Sequence, residues 1–169
     1  MRTHTNHPSH SAAARHGDEH MALAHYRRLL LMTVLSFAAM YTLMYAMVDR
    51  FDNVFNNVNQ VYMAGLMTAA MVLIELGLMG AMYNSGKLNA VIAAGSLIAL
   101  LGFWAGIRAQ SAVGDEQFLR SMIPHHAAAI LMCEKAAIRD AEIRELCRGI
   151  VESQAAEIRQ MKAKLAQLQ

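Results

Sequence analysis

The chain is 169 residues long, 56% hydrophobic and only 17% charged, with two prolines and a formal net charge of +2. That apolar excess is too large for one water-facing core of this length, which excludes an ordinary soluble domain. Beyond Arg108 the basic and acidic residues balance, so no basic face for nucleic acid is formed, and two cysteines cannot make a disulfide framework.

Residues 1–28 show no apolar period and hold six of the eight histidines: His4, His7, His10, His16, His20 and His25. They read as a disordered His-rich tail. His4, His7 and His10 recur at every third residue, and a flexible chain can wrap such a set round Cu(II), Ni(II) or Zn(II). A merely polar leader is the alternative.

Residues 29–108 carry three apolar runs. Leu29 to Val48 is free of charge and long enough, at ~1.5 Å per residue, for the ~30 Å hydrocarbon layer. Val61 to Tyr83 is interrupted only by Glu75, and Leu88 to Ile107 ends near Trp104, where an aromatic belt sits. Three membrane spans are expected. Asp49 to Gln60 reads as a surface or interfacial loop and Asn84–Lys87 as a tight turn. The first run is longer than a signal-peptide core and lacks a small-x-small cleavage site, so it reads as an uncleaved anchor. Arg15, Arg27, Arg28 and Lys87 fall on one side and Arg50, Arg108 and Arg120 on the other. The pair flanking the first span tips the N-terminus inward and puts residues 109–169 outside the cytoplasm. Met40, Met44 and Met47 share one helix face and Met71, Glu75, Met79 and Met82 another. Packing is the ordinary use of such stripes, with a Cu(I) path as the alternative. An intramembrane acid such as Glu75 should face the bundle and find a partner or be protonated.

Residues 109–169 change to soluble, helical composition. Asp115 can cap a helix running to about Ile138, with an interruption at Pro124; Arg139-Asp140 make the turn; one long helix follows from Ala141 to Leu168. The stripe of that second helix is Ile143, Leu146, Cys147, Ile150, Gln154, Glu157, Met161, Leu165 and Leu168. Gln154 and Glu157 interrupt it and, if buried, need partners. Antiparallel pairing about the turn sets His125 against Gln154, Met122 against Glu157 and Phe118 against Met161. Met122, His125, His126, Gln154, Glu157 and Met161 then converge. Thioethers are poor ligands for Zn²⁺, Mg²⁺ or Ca²⁺ but good ones for Cu(I), and imidazole suits copper, so the cluster reads as a Cu(I) site with Ag(I) as competitor. The Glu-x-x-His pattern of di-iron bundles is absent. Pro124 inside a helix strengthens the reading; in the bland alternative it simply opens the helix.

The run Phe118-Leu119-Arg120-Ser121-Met122-Ile123-Pro124-His125-His126, then Ala129-Ile130 and Met132, then Ser153-Gln154 and Glu157-Ile158-x-x-Met161, resembles the family called domain of unknown function 305. The resemblance covers about Asp115 to Met161. It implies a bacterial, ferritin-like helical domain of the kind associated with periplasmic copper binding and copper tolerance, with Met122, His125, His126, Met132 and Met161 carried over as ligands; Gln154 and Glu157, from the helix-face reading, would stand behind them. Asp52-Asn53-Val54 and Tyr62 to Thr68 resemble the membrane-anchored members. Cys133 and Cys147 depart from the small residues usual there, and small fillers, a disulfide, or a second soft-metal site with Met132 all remain open.

The expected fold is therefore all-α: three transmembrane helices and a long antiparallel hairpin, a ferritin-like half-bundle. The expected role is a membrane-anchored copper protein of the bacterial inner membrane, with the tail cytoplasmic and the hairpin periplasmic. It would sequester Cu(I) or pass it to a copper chaperone or exporter. The rival is a scaffold whose His/Met cluster only pairs helices. No triad-like pattern surrounds Ser121 or Ser153 and no phosphate loop occurs, so no enzyme is expected. Ile130, Ile138, Val151 and Ile158 should stay half exposed on a lone hairpin, which calls for a homodimer or higher oligomer closing a four-helix bundle.

Overall fold

Helix formation overshoots the apolar runs. The computed structural model describes residues 9–83 and 85–168, with side chains from residue 23 onward except Ala81. α1 spans Ser9–Leu43, α2 Val58–Met79, α3 Gly86–Ala109, α4 Asp115–Lys135 and α5 Ala141–Gln167, and no strand occurs among the described residues. The start of α1 corrects the expectation of a disordered tail over residues 9–28. Ala12-Ala13-Ala14 and the lack of proline after Pro8 let a helix nucleated in the apolar run propagate backwards. His4 and His7 of the tail site lie outside the described residues, as does the side chain of His10.

Three helical stretches, Leu23–Met47, Val58–Met79 and Gly86–Ala109, are long and apolar enough to cross a membrane. α2 is the middle one, packed against α1 on one side and α3 on the other, and the outer helices leave rows of exposed Leu, Val and Ile for lipid. Close approach of α2 and α3 depends on Gly65, where a Cβ would lie 2.5 Å from the Phe103 ring. Asn57 caps α2 by accepting from the Gln60 N–H (2.8 Å), and Ser85 caps α3 by accepting from Leu88 N–H (3.3 Å).

The two ends of the bundle are fastened differently. At one, the Tyr26 hydroxyl donates to Asn89 Oδ1 (2.7 Å), which joins the start of the α1 span to the start of α3. At the other, the connection between α1 and α2 is more than a surface loop. Asn53 and Asn57 are buried, the Tyr45 hydroxyl donates to the Phe55 carbonyl (2.8 Å), and Gln60 Nε2 donates to the Tyr41 carbonyl (2.9 Å). α3 ends in a Schellman motif with Gln110 in the left-handed region (φ 48°). Ala112 is also left-handed (φ 58°), and α4 starts beyond it.

α4 and α5 form the antiparallel hairpin. Ile123, Ala127, Ile130, Ile158 and Leu165 make its core, and Val48 and Phe55 from the first connection pack against it. Ile130 and Ile158 are therefore buried within one chain, which corrects the expectation that they stay half exposed for a second copy. The stripe of α5 is also turned: Ile143, Leu146 and Leu168 are exposed, and burial centres on Ile158 and Leu165. The connection between α1 and α2 packs on the hairpin core through Val48 and Phe55 and meets α4.

Candidate metal centre

α4 continues through Pro124, which excludes the reading in which that proline opens a helix. The ring supplies no N–H, so the Arg120 carbonyl one turn back loses its usual partner. One turn of α4 then presents Met122 and His126. His126 is buried at 9% exposure. Its Nδ1 lies 2.9 Å from the Met122 carbonyl and its Nε2 lies 2.7 Å from Glu157 Oε2 on α5. A carbonyl only accepts, so Nδ1 carries a hydrogen and donates it there, and Nε2 is the atom presented to α5. A ring that is also protonated at Nε2 donates to the Glu157 carboxylate. In the singly protonated ring the same atom holds the lone pair that a metal needs, the usual arrangement of a ligating histidine tethered through its other nitrogen.

Met161 is half buried against the core and Met122 half buried beside His126. Gln154 Oε1 is buried without a hydrogen-bond partner among the described residues. An orphaned oxygen costs ~1–3 kcal/mol and marks a place for a water or a cation. His125 is exposed, its ring centroid 6.0 Å from that of His126. Met132 is 52% exposed and, six residues on, points about 120° away from His126 round the helix. Of the expected cluster, the contacts join His126 to Glu157 and to the Met122 carbonyl; Met161 packs on the hairpin core, Gln154 Oε1 is buried, His125 is exposed beside His126 and Met132 points away. Among the described residues no three His, Cys, Asp or Glu side chains are placed to share an ion. An ion here would have to draw on thioether sulfur.

The register differs from the expected one. Glu157 meets His126 rather than Met122. Cys133 meets Cys147, in a disulfide with Cα atoms 5.2 Å apart. Of the three cysteine readings the bridge is the one present, and a second soft-metal site of free thiols with Met132 is thereby corrected.

A polar seam that the sequence reading missed holds this centre against the membrane helices. Gln117 Oε1 accepts from the Val58 N–H (3.0 Å), so α4 caps α2. Asn59 Nδ2 donates to Gln110 Oε1 (3.0 Å) and to Ser121 Oγ (3.3 Å), beside Met122. The Tyr62 hydroxyl donates to the Ser111 carbonyl (2.8 Å). The Asn/Gln content of both junctions was the available signal.

The profile of the family described as Domain of unknown function (DUF305) matches residues 102–165, from the last two turns of α3 to the last turn of α5. Over 136 residues the chain is 32% identical to the Uncharacterized protein L153 of Acanthamoeba polyphaga mimivirus, covering 79% of this chain and 88% of the relative. The chain belongs to the DUF305 family. An alignment of that length exceeds the DUF305 segment, so the likeness extends into the membrane-crossing helices. The DUF305 segment holds the whole candidate centre and both cysteines. This relative is viral, whereas the sequence resemblance implied a bacterial setting. No solved structure matches.

Proposed function

We propose that the chain is a membrane-anchored copper protein whose hairpin holds Cu(I) at His126 Nε2 with the thioethers of Met122 and Met161, and sequesters the ion or hands it on outside the cytoplasm. One observation carries this reading: a buried imidazole tethered through Nδ1 to the Met122 carbonyl, with Nε2 facing α5 at Glu157 Oε2 (2.7 Å), in a hairpin that also buries Gln154 Oε1 without a partner among the described residues. Cu(I) or the competing Ag(I) would add a soft centre with a preference for sulfur and imidazole. The chain contributes a tautomer locked by Met122, a carboxylate that offsets the charge, and a seam that fixes the ligand helix. His125 is the second imidazole within reach; Met132 is not proposed as a ligand. The disulfide supports an oxidising compartment. In a bacterium that compartment is the periplasm, with the chain in the inner membrane and its N-terminus cytoplasmic. Lipid, a copper chaperone or exporter, and a second copy are the partners the reading calls for. The His-rich tail would take Cu(II) or Zn(II) separately.

The direct His126–Glu157 contact favours a second reading, a scaffold in which the pair only joins two helices. Competition with a Cu(I)-chelating dye on the full chain in detergent separates the two. Replacing Met122 and Met161 by Leu keeps volume and apolarity, so helicity should persist while Cu(I) affinity falls at least tenfold, about 1.4 kcal/mol. Unchanged affinity would leave the scaffold.

A further inference from the structure

At the end of the bundle away from the hairpin, where His25 and Met32 of α1 meet the end of α2, lies a cavity of ≈ 270 Å³. Its walls include His25, Met32, Glu75, Met79, Met82 and Tyr83. His25 Nδ1 lies 3.0 Å from the Met82 carbonyl, a contact between residues far apart in the chain. The carbonyl only accepts, so Nδ1 donates and Nε2 holds the lone pair of the neutral ring. The Tyr83 hydroxyl donates to Glu75 Oε1 (3.3 Å), and the Tyr83 ring stands edge-on to His25, centroids 6.5 Å apart. An acid within a membrane-crossing helix is costly and marks a function by default. Imidazole, carboxylate and three thioethers round one cavity are a soft-cation donor set, and thioethers disfavour Zn²⁺, Mg²⁺ and Ca²⁺.

We propose that this cavity is a second soft-metal site, which binds Cu(I) or Ag(I) through His25 Nε2 and the thioethers of Met79 and Met82, with Glu75 supplying the counter-charge. Tyr83 orients Glu75, and Met32 closes the wall toward α1. Arg28 also borders the cavity and is exposed, and an arginine stem is long enough to let its guanidinium stay in solvent. From Asn59, beside the hairpin, to Glu75 is about 24 Å along α2, so the two centres share no ligand. The inference stands on its own residues and does not depend on the hairpin binding copper.

The full chain in detergent, with the hairpin centre removed by Met122→Leu, His126→Ala and Met161→Leu, isolates the cavity. Under reducing conditions, competition with a Cu(I)-chelating dye should leave one equivalent bound, with sulfur and nitrogen both present in X-ray absorption. Adding Met79→Leu and Met82→Leu, or His25→Gln alone, should weaken that equivalent at least tenfold. The His25 substitution perturbs packing least and serves if the methionine variant loses helicity. No Cu(I) bound in the hairpin-null protein, or a bound equivalent indifferent to both sets of changes, would overturn the proposal. Loss of metal on removing the hairpin centre alone tests the other site, so the two failures read differently.

Discussion

His126 is held from both sides, and its two contacts differ in kind. The Met122 carbonyl belongs to its own helix and forms with α4, whereas Glu157 arrives only when α5 docks. Removing the acceptor should therefore loosen the hairpin. Glu157→Leu is expected to cost about 1–3 kcal/mol in thermal unfolding, and Glu157→Gln, which keeps an acceptor oxygen, appreciably less. Equal losses would mean that the contact carries no weight. Ala112 offers the opposite sign. Its φ of 58° places a Cβ where the left-handed region disfavours one by ~1–2 kcal/mol, so Ala112→Gly should raise the melting temperature despite the extra freedom glycine gives the unfolded chain. A lower melting temperature would show that the turn is not strained.

Among the helices, the apolar runs and the change of composition after Arg108 were enough to recognise all five in the sequence, because length and hydropathy are local properties. The register was less legible, for a reason visible in two pairs. Cysteine side chains are short and report the level of their Cα atoms, so Cys133 and Cys147 fall almost where antiparallel counting puts them. His126 and Glu157 are long, and each leans toward the N-terminus of its own helix, which closes an offset of about three residues. The rotation of α5 was not legible at all. Val48 and Phe55 pack against the hairpin core, yet Val48 read as the end of the first span and Phe55 as part of a surface or interfacial loop. Opening the disulfide, by reduction or by Cys133→Ser with Cys147→Ser, should destabilise the hairpin by about 3 kcal/mol through the freed loop, measured as a drop in the hairpin's unfolding midpoint. Gly65→Ala should weaken the α2–α3 contact, and pairing it with Phe103→Ala should cost less than the sum of the two single changes, since the ring is what the new Cβ meets.

The whole molecule has two chemically distinct ends, one at Tyr26 and Asn89 and one at the hairpin seat. An odd number of crossings would put them on opposite faces of a bilayer. The native cysteines are bridged, so a cysteine introduced after Leu168 should react with an impermeant reagent in intact cells while one near Ser9 does not. The reverse pattern would turn the hairpin to the cytoplasm. The hairpin core is also covered from outside the hairpin, by the partly buried Val48 and Phe55. Phe55→Ala should lower the stability of the hairpin although it lies outside it in sequence.

The cap that Gln117 gives Val58 has a consequence for traffic. A domain on a slack leash sweeps a volume and can meet partners well out in solution. Here the tether is absent: α4 is stitched to the first turn of α2, and His126 stands only about 8 Å along α4 from Ser121, which Asn59 holds. The candidate centre therefore sits close to the end of the membrane-crossing helices. Under the proposed copper reading, anything that trades an ion with it would have to skim the bilayer, which favours a membrane-resident or surface-adsorbed carrier over one diffusing freely in three dimensions.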